Sequence, residues 1–422
     1  MNILIVGSGG REHAIARTLA VSQKEPRIFC FGKWKNPGIS ELASDYALGE
    51  PTEALAVAEY AKKQSIDFAV IGPEAPLASG VVDELAKSDI PAVGPEKELA
   101  AVETSKSFCR QLLAEYNIEA SPKHKYFSSL EGLEEYFNEL KGSYAIKADG
   151  LMGGKGVKLS GDHLKDDEEA LEWAKEILKK EMGFLVEEKL SGPEFSLMSF
   201  SDGENSAHMP AVQDYKRLLE GDQGPQTGGM GSYSMPDHKL PFLTDKDIAR
   251  AQEINQKTIT ALRSKFKKGY KGILYGGFMK TKEGVRLLEY NARLGDPEGI
   301  NALALLESDF VDICQAIIKG TLSQEQVVFK NKATVLKYAV PEGHPENPVK
   351  DAVINLSEPY DKSKFYLAGV DEKEGKWYCT GSRAIASLGV ADSIEEAEKI
   401  AEEEIQKVKG PLYHRSDIGK VW

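Results

Sequence analysis

Along the first hundred residues the apolar positions come in short unbroken runs, at 3–6, 27–31, 67–71 and 91–93. Between them, stretches over 11–22, 52–64 and 77–88 mix apolar and polar residues at helical spacing. Unbroken apolar runs predict strands buried on both faces, and their alternation with helices predicts a parallel sheet. From about residue 104 the pattern changes to an amphipathic helix and then to a small segment with strands at 144–147 and 184–187 around the loop 148–156, which predicts a separate lobe. Longer strand patterns at 195–200, 274–280 and 286–290, with helical ones near 245–267 and 301–319, form the body of a second domain. After Gly320 a third unit begins, with strands at 334–340, 365–367 and 384–390 closed by a helix over 394–409. Ser393 and Glu396 have capping-box spacing. The acidic run 402–404 lies in that helix with an apolar stripe of Ile394, Ile400, Ile405 and Val408, and reads as a solvated face. The expected fold class is α/β and α+β multidomain: a parallel-sheet α/β domain over 1–102, a domain over 103–325 with its lobe at about 122–190, and a small α+β domain over 326–422.

Composition sharpens this picture. At 422 residues the chain exceeds the roughly 250–300 at which single cores stop growing. Apolar content of 41% with 28% charged residues, and no run near the ~20 apolar residues of a membrane span, predict a soluble cytoplasmic protein with no membrane partner. A net charge of -13 argues against nucleic-acid binding, which needs a basic face. Cys30, Cys109, Cys314 and Cys379 have neither zinc-site nor disulfide-framework spacing.

Six segments carry candidate chemistry. The first strand runs into Gly7, Ser8, Gly9, Gly10 and Arg11, a glycine turn feeding a helix whose free N–H groups favour an anion. Glu12 stands where a dinucleotide fingerprint needs its third glycine, and Lys33 follows the second strand where a ribose-binding acid is expected, so a nicotinamide cofactor is disfavoured. Gly72, Pro73 and Glu74 follow the third strand at the same sheet edge. In 146–157, a strand delivers Lys147 to a loop with glycines at 150, 153, 154 and 156 around Lys155, a phosphate-cradling arrangement that lacks the Lys-Ser/Thr pair of a Walker motif. Glu289 and Asn291, two apart on a strand, project to one side as hard oxygen ligands suited to Mg²⁺, and Arg293 continues on that side if the strand persists. Residues 213–217, with Asp214, Lys216 and Arg217, and the glycine-rich loop 224–231, with Gly228 and Gly229, together form a seat and cover for an amino acid. Each segment alone also reads as ordinary structure: a tight turn, a glycine hairpin, a solvated strand face, a surface loop.

In this order the motifs resemble the ATP-grasp ligases. More closely, GSGGREHA at 7–14, GPEAPL at 72–77, IKADGLMGGKGV at 146–157, QDYKR at 213–217, GPQTGGMGSYS at 224–234 and EYNARLGDPE at 289–298 resemble the phosphoribosylamine–glycine ligases, over residues 1 to about 418. The resemblance implies a central ATP-grasp with a mobile lid, ATP and Mg²⁺ (or Mn²⁺) as cofactors, and glycine and 5-phosphoribosylamine as substrates. Lys106, Lys147, Gly153, Gly154, Lys155 and Gly156 would face nucleotide phosphates, Glu187 and Leu190 the adenine hinge, Glu194 the ATP ribose, and Glu289 and Asn291 the metal. Asp214 would receive the glycine ammonium. Gly9, Gly10, Arg11, Glu74, Lys216, Arg217, Gly228, Gly229, Arg293 and Asp296 are the remaining substrate-side candidates, with Arg293, Lys155 and Asp214 as the catalytic ones. The chain departs from the family pattern at Tyr215, where His is usual, at Gly299, where Thr or Ser is usual, at Ser382, where a second glycine is usual, and over 341–350, which lacks the usual glycine- and tyrosine-containing loop. These departures leave open a ligase for another acid or amine, or a silent nucleotide-binding protein. The oligomeric state, monomer or dimer, is left open too.

Overall fold

The computed structural model describes residues 1–152 and 156–420. Five parallel strands form the first sheet, in spatial order Ala43–Leu48, Arg27–Gly32, Asn2–Val6, Phe68–Ile71 and Ala92–Val93. Four of them coincide with the apolar runs. The fifth, Ala43–Leu48, was not expected: it is an edge strand with no fully buried residue, so it lacks the run that marks its neighbours. The helix expected over 77–88 is two pieces, Glu74–Ser79 and Val81–Ala86, because Gly80 adopts φ +85 between them.

The lobe is a four-stranded antiparallel sheet in the order His124–Phe127, Phe184–Glu188, Tyr144–Ala148, Val157–Leu159. It has its own core, in which Phe137 stacks on Tyr144 at 4.1 Å, apart from the main cluster. A second antiparallel sheet runs Ser206–His208, Glu194–Asp202, Lys271–Thr281, Gly284–Asn291, backed by the helix Asp245–Phe266. Another sheet joins strands from either side of residue 325: Gln213–Asp214, Gly231–Ser234, Ala333–Pro341, Ile385–Ala391 and Phe365–Leu367.

Two helices fill the span expected as one, Glu298–Leu305 and Phe310–Lys319, the second capped by the Asp309 side chain on Val311 N. The last long helix, Ile394–Ile405, is capped by Ser393 on Glu396 N at 3.2 Å. Its acidic residues are not simply solvated. Lys337 is fully buried, and its ammonium donates to Glu398 and Glu402, each at 2.7 Å, and to the Ser416 carbonyl at 2.9 Å. A buried ammonium requires such counter-charges, so the helix turns carboxylates inward.

Candidate active site

The carboxyl ends of the parallel strands, the lobe and the second sheet meet at one cavity of 890 Å³. Its floor begins at the glycine turn after Asn2–Val6. There the chain supplies one anion of its own: Glu12, in the first turn of the helix Gly10–Ala20, accepts from Gly9 N at 2.5 Å. Arg11 Nε donates to the other Glu12 oxygen at 2.7 Å and a second guanidinium nitrogen to the Leu294 carbonyl at 2.9 Å. Two glycines leave the space: a Cβ on Gly72 would lie 2.1 Å from Glu12 Oε1, and one on Gly7 2.9 Å from Glu12 Cγ. The strand-end motifs at 7–14 and 72–77 are therefore halves of one packing arrangement.

Across the cavity, Glu187 is buried between two cations. Arg110 holds it bidentately at 2.6 and 3.1 Å and Lys147 at 2.7 Å. Burial pushes its carboxyl up, but the two cations outweigh burial and hold it at about 2. Arg110 and Lys147 both also donate to the Leu288 carbonyl, at 2.8 and 3.1 Å. That carbonyl is in line because a β-bulge opposite Gly277 and Phe278 breaks the register of the strand Gly284–Asn291 at this point. The Glu187 carboxylate is thus tied into an ion network on the cavity wall. Lys106, also lining the cavity, donates to the Gly150 carbonyl at 3.1 Å.

Glu289 and Asn291 both line the cavity. Burial would raise the Glu289 pKa, yet Lys216, Lys147, Lys106 and Arg293 bring it below its usual value, so it is a carboxylate at neutral pH. Asn291 Oδ1 accepts from Arg293 at 3.1 Å. Arg293 also pairs with Glu74 at 3.2 Å and Glu103 at 3.6 Å. These two acids are driven apart. Burial dominates at Glu103, raising it to about 7, whereas at Glu74 burial is outweighed by Arg293 and Arg11 and it falls to about 2. Among the described residues no three His, Cys, Asp or Glu side chains gather to hold a metal unaided. A one-carboxylate, one-amide pair fits an ion that takes its other ligands from phosphate and water.

On the remaining wall, burial raises Asp214 to about 7 against the pull of Lys216, with Glu298 and Glu194 adding to the rise. Lys216 donates to Glu194 at 3.2 Å, and the charge of Asp214 is the main reason its own pKa lies well above the usual value. Arg383 reaches in from the loop before Ile385–Ala391. One of its nitrogens donates to the carbonyls of Gly228, Gly229 and Asp296 at 2.8, 3.2 and 2.7 Å, and another pairs with Asp296 Oδ1 at 3.1 Å. Tyr338 donates to that same carboxylate oxygen at 2.8 Å.

Of the residues singled out from the sequence, Lys106, Lys147, Gly156, Glu187, Leu190, Glu194, Glu289, Asn291, Gly9, Arg11, Glu74, Asp214, Lys216, Gly228, Arg293 and Asp296 line this cavity. Gly10, Arg217 and Gly229 do not: Gly10 packs on Tyr338, Arg217 donates to the Gly224 carbonyl at 2.9 Å, and Gly229 packs on Pro297. Gly153, Gly154 and Lys155 lie outside the described residues. The departures at Tyr215 and Gly299 also fall off the cavity lining, while Ser382 is on it. Sequence reasoning missed Glu12 as a structural anion and Glu298 as a wall residue, though both lie within quoted motifs, and missed Glu103, Arg110 and Arg383 altogether. The one available signal was a charged residue inside an apolar helical pattern, as at Arg110; its partners lie 77 and 178 residues away.

A cavity between a small antiparallel lobe and a larger antiparallel sheet, with lysines on the lobe side and an acid–amide pair on the sheet side, is that of an ATP-grasp protein. Profiles of the phosphoribosylglycinamide synthetase N domain, ATP-grasp (A) domain and C domain match residues 1–103, 104–299 and 334–421. The phosphoribosylamine–glycine ligase of Methanocaldococcus jannaschii is 51% identical over 100% of this chain and 96% of its own. That of Methanosarcina barkeri is 47% identical over 99% and 96%. The crystal structure of the Thermotoga maritima phosphoribosylamine–glycine ligase has a TM-score of 0.83 at 29% identity, covering 99% of this chain and 100% of that one. The biotin carboxylase domain of Hydrogenobacter thermophilus 2-oxoglutarate carboxylase shares the fold, with a TM-score of 0.76 at 14% identity over 98% and 91%. The chain belongs to the phosphoribosylamine–glycine ligase family.

Proposed function

We propose that this protein joins glycine to 5-phosphoribosylamine, giving glycinamide ribonucleotide, ADP and phosphate, as a step of purine biosynthesis in the cytoplasm. The observation that carries the reading is the convergence on one cavity of Lys106, Lys147, Glu289 and Asn291 with Asp214 and Lys216. In the first step a glycine carboxylate oxygen attacks the γ-phosphorus of ATP, the bond to the bridging oxygen breaks, and ADP leaves with its electron pair. The amine of phosphoribosylamine then attacks the acyl carbon of glycyl phosphate. The C–O bond to phosphate breaks, and the new amide loses its extra proton to solvent.

The protein's part in this chemistry is positioning and charge neutralisation. Lys106 and Lys147 set positive charge at the phosphates, and Glu187 with Arg110 fixes Lys147 in place. Glu289 and Asn291 would hold Mg²⁺, which supplies charge neutralisation at the phosphate oxygens. Asp214 receives the glycine ammonium, with Lys216 beside it for the carboxylate. Arg293, held between Glu74 and Glu103, faces the phosphoribosylamine end together with Arg11. Among the described residues no helix is long and apolar enough to cross a membrane.

The test is ADP release with ATP, Mg²⁺, glycine and phosphoribosylamine, compared with other acid and amine pairs. Turnover indifferent to glycine would refute the substrate assignment. Glu289→Ala should abolish metal-dependent turnover, and an unchanged rate in that variant would refute the metal assignment.

A further inference from the structure

The strand bearing Asp214 is weakly supported by its own sheet. In that sheet Gln213–Asp214 is an edge strand, paired through Gln213 with Tyr233 and Asp214 with Ser232, while Val212 just before it bridges Ser196 of the neighbouring sheet at 2.8 and 3.1 Å. The pairing is extended by Tyr215 N to Gly231 O at 2.9 Å and Met230 N to Tyr215 O at 2.7 Å. Along an extended chain, side chains alternate. Asp214 and Lys216 enter the cavity, and Tyr215 faces away from it.

That far face is covered by the C-terminal tail. The Arg415 guanidinium lies 4.9 Å from the centre of the Tyr215 ring. Arg415 is 1% exposed and its fork is filled: Asp417 at 2.8 and 2.7 Å, the Arg217 carbonyl at 2.9 Å, and Asp222 at 2.8 Å. The tail is itself tied down, because the buried Lys337 holds the Ser416 carbonyl and Gly221 N donates to Asp417 at 3.0 Å. The hairpin that Arg415 grips returns to the cavity at Thr227, whose N–H and hydroxyl both donate to the Lys216 carbonyl, at 2.7 and 3.0 Å. A cation on an aromatic face, joined to a bidentate carboxylate pair, is an arrangement that Lys cannot reproduce.

We propose that Arg415 is a positioning residue for the amino-acid end of the site, holding Asp214 and Lys216 in register through Tyr215 and the hairpin 217–226. This rests on the glycine-activating reading above. It assigns the C-terminal tail a part in catalysis although none of its described residues lines the cavity. The lysines of the nucleotide end, Lys106 and Lys147, are reached by none of these contacts; the one link in that direction is Lys216 itself, which pairs with Glu194 at 3.2 Å and helps hold Glu289 ionised.

The experiment is steady-state kinetics on the full chain for wild type, Arg415→Met, Arg415→Lys and the milder Asp222→Ala, whose side chain is 65% exposed. Misplacement of reacting groups by ~1 Å costs up to ~10²-fold, so kcat/KM for glycine should fall about tenfold or more in Arg415→Met and Arg415→Lys, and about two- to threefold in Asp222→Ala. KM for ATP should stay within about twofold. Lowered thermal stability with glycine parameters unchanged, or glycine and ATP KM rising together, overturns the proposal by making Arg415 a purely structural tie. If neither Arg415 variant folds, Asp222→Ala decides, and an unchanged glycine kcat/KM there overturns it. Failure of the ligase reading shows separately, as the absence of glycine-dependent ADP release from wild type.

Discussion

Replacing Glu187 by Gln removes one charge from the interior and leaves Arg110 and Lys147 facing a neutral amide. The three side chains are 2%, 4% and 9% exposed, so solvent does little to screen the loss. A carboxyl held at about 2 instead of 4.5 contributes about 3 kcal/mol of stability at neutral pH, at ~1.36 kcal/mol per pH unit. Removing one partner of a buried pair costs ~3–5 kcal/mol, which agrees. The sign follows from the direction of the shift. A lowered folded pKa gives stability that is complete above the unfolded value and is lost as pH falls through about 2, so a measurement at pH 7 reads all of it. The loss is local to the junction of the lobe and the second sheet. Native-state hydrogen exchange is therefore the assay, at the amides of Tyr144–Ala148 and Phe184–Glu188. Exchange there should speed up by ~10²-fold, with little change in Asn2–Val6. KM for ATP should rise with it, since Lys147 loses the anchor that orients its ammonium. Exchange within about threefold of wild type would show that the pair merely breaks even against its desolvation, and the reasoning would fail.

Two further outcomes follow from the same geometry. Gly72→Ala places a Cβ 2.1 Å from Glu12 Oε1, so overpacking should cost ~1–3 kcal/mol in urea unfolding and pull the carboxylate off Gly9 N; wild-type stability would mean that the two glycine motifs are not coupled through Glu12. Burial raises Asp214 to about 7, so if its carboxylate form binds the glycine ammonium, kcat/KM for glycine should decline as pH drops below about 7. Asp214→Asn should abolish that acid limb, and a limb persisting in the variant would assign it to another group.

Several elements were legible because their signal is local. The runs at 3–6, 27–31 and 67–71 are strands because residues covered on both faces are apolar, with only the exposed Arg27 and Asp67 at their starts charged. The Glu289–Asn291 pair was legible because a two-residue period needs only a strand, and the bulge at Leu288 falls just before it. Ala43–Leu48 was not legible, because an edge strand need not be apolar. The break at Gly80 hid inside a continuous helical pattern. The acidic face over 402–404 was misread because its partner, Lys337, lies 65 residues away from Glu402.

Read alone, the sequence determined the order of most elements, the separate lobe and, through its motifs, the family. Those properties depend on residues close together in the chain, whose spacing alone states what they share. The tertiary structure decided which charges meet: Glu12 filling its own glycine turn, Glu187 between Arg110 and Lys147, Arg293 between Glu74 and Glu103, and Arg383 and Arg415 reaching back from the C-terminal part. A buried charge needs its counter-charge within a few ångströms in space, but chain topology sets no limit on their separation in sequence. The ion pairs that hold the site together are therefore the part of it that spacing could not announce.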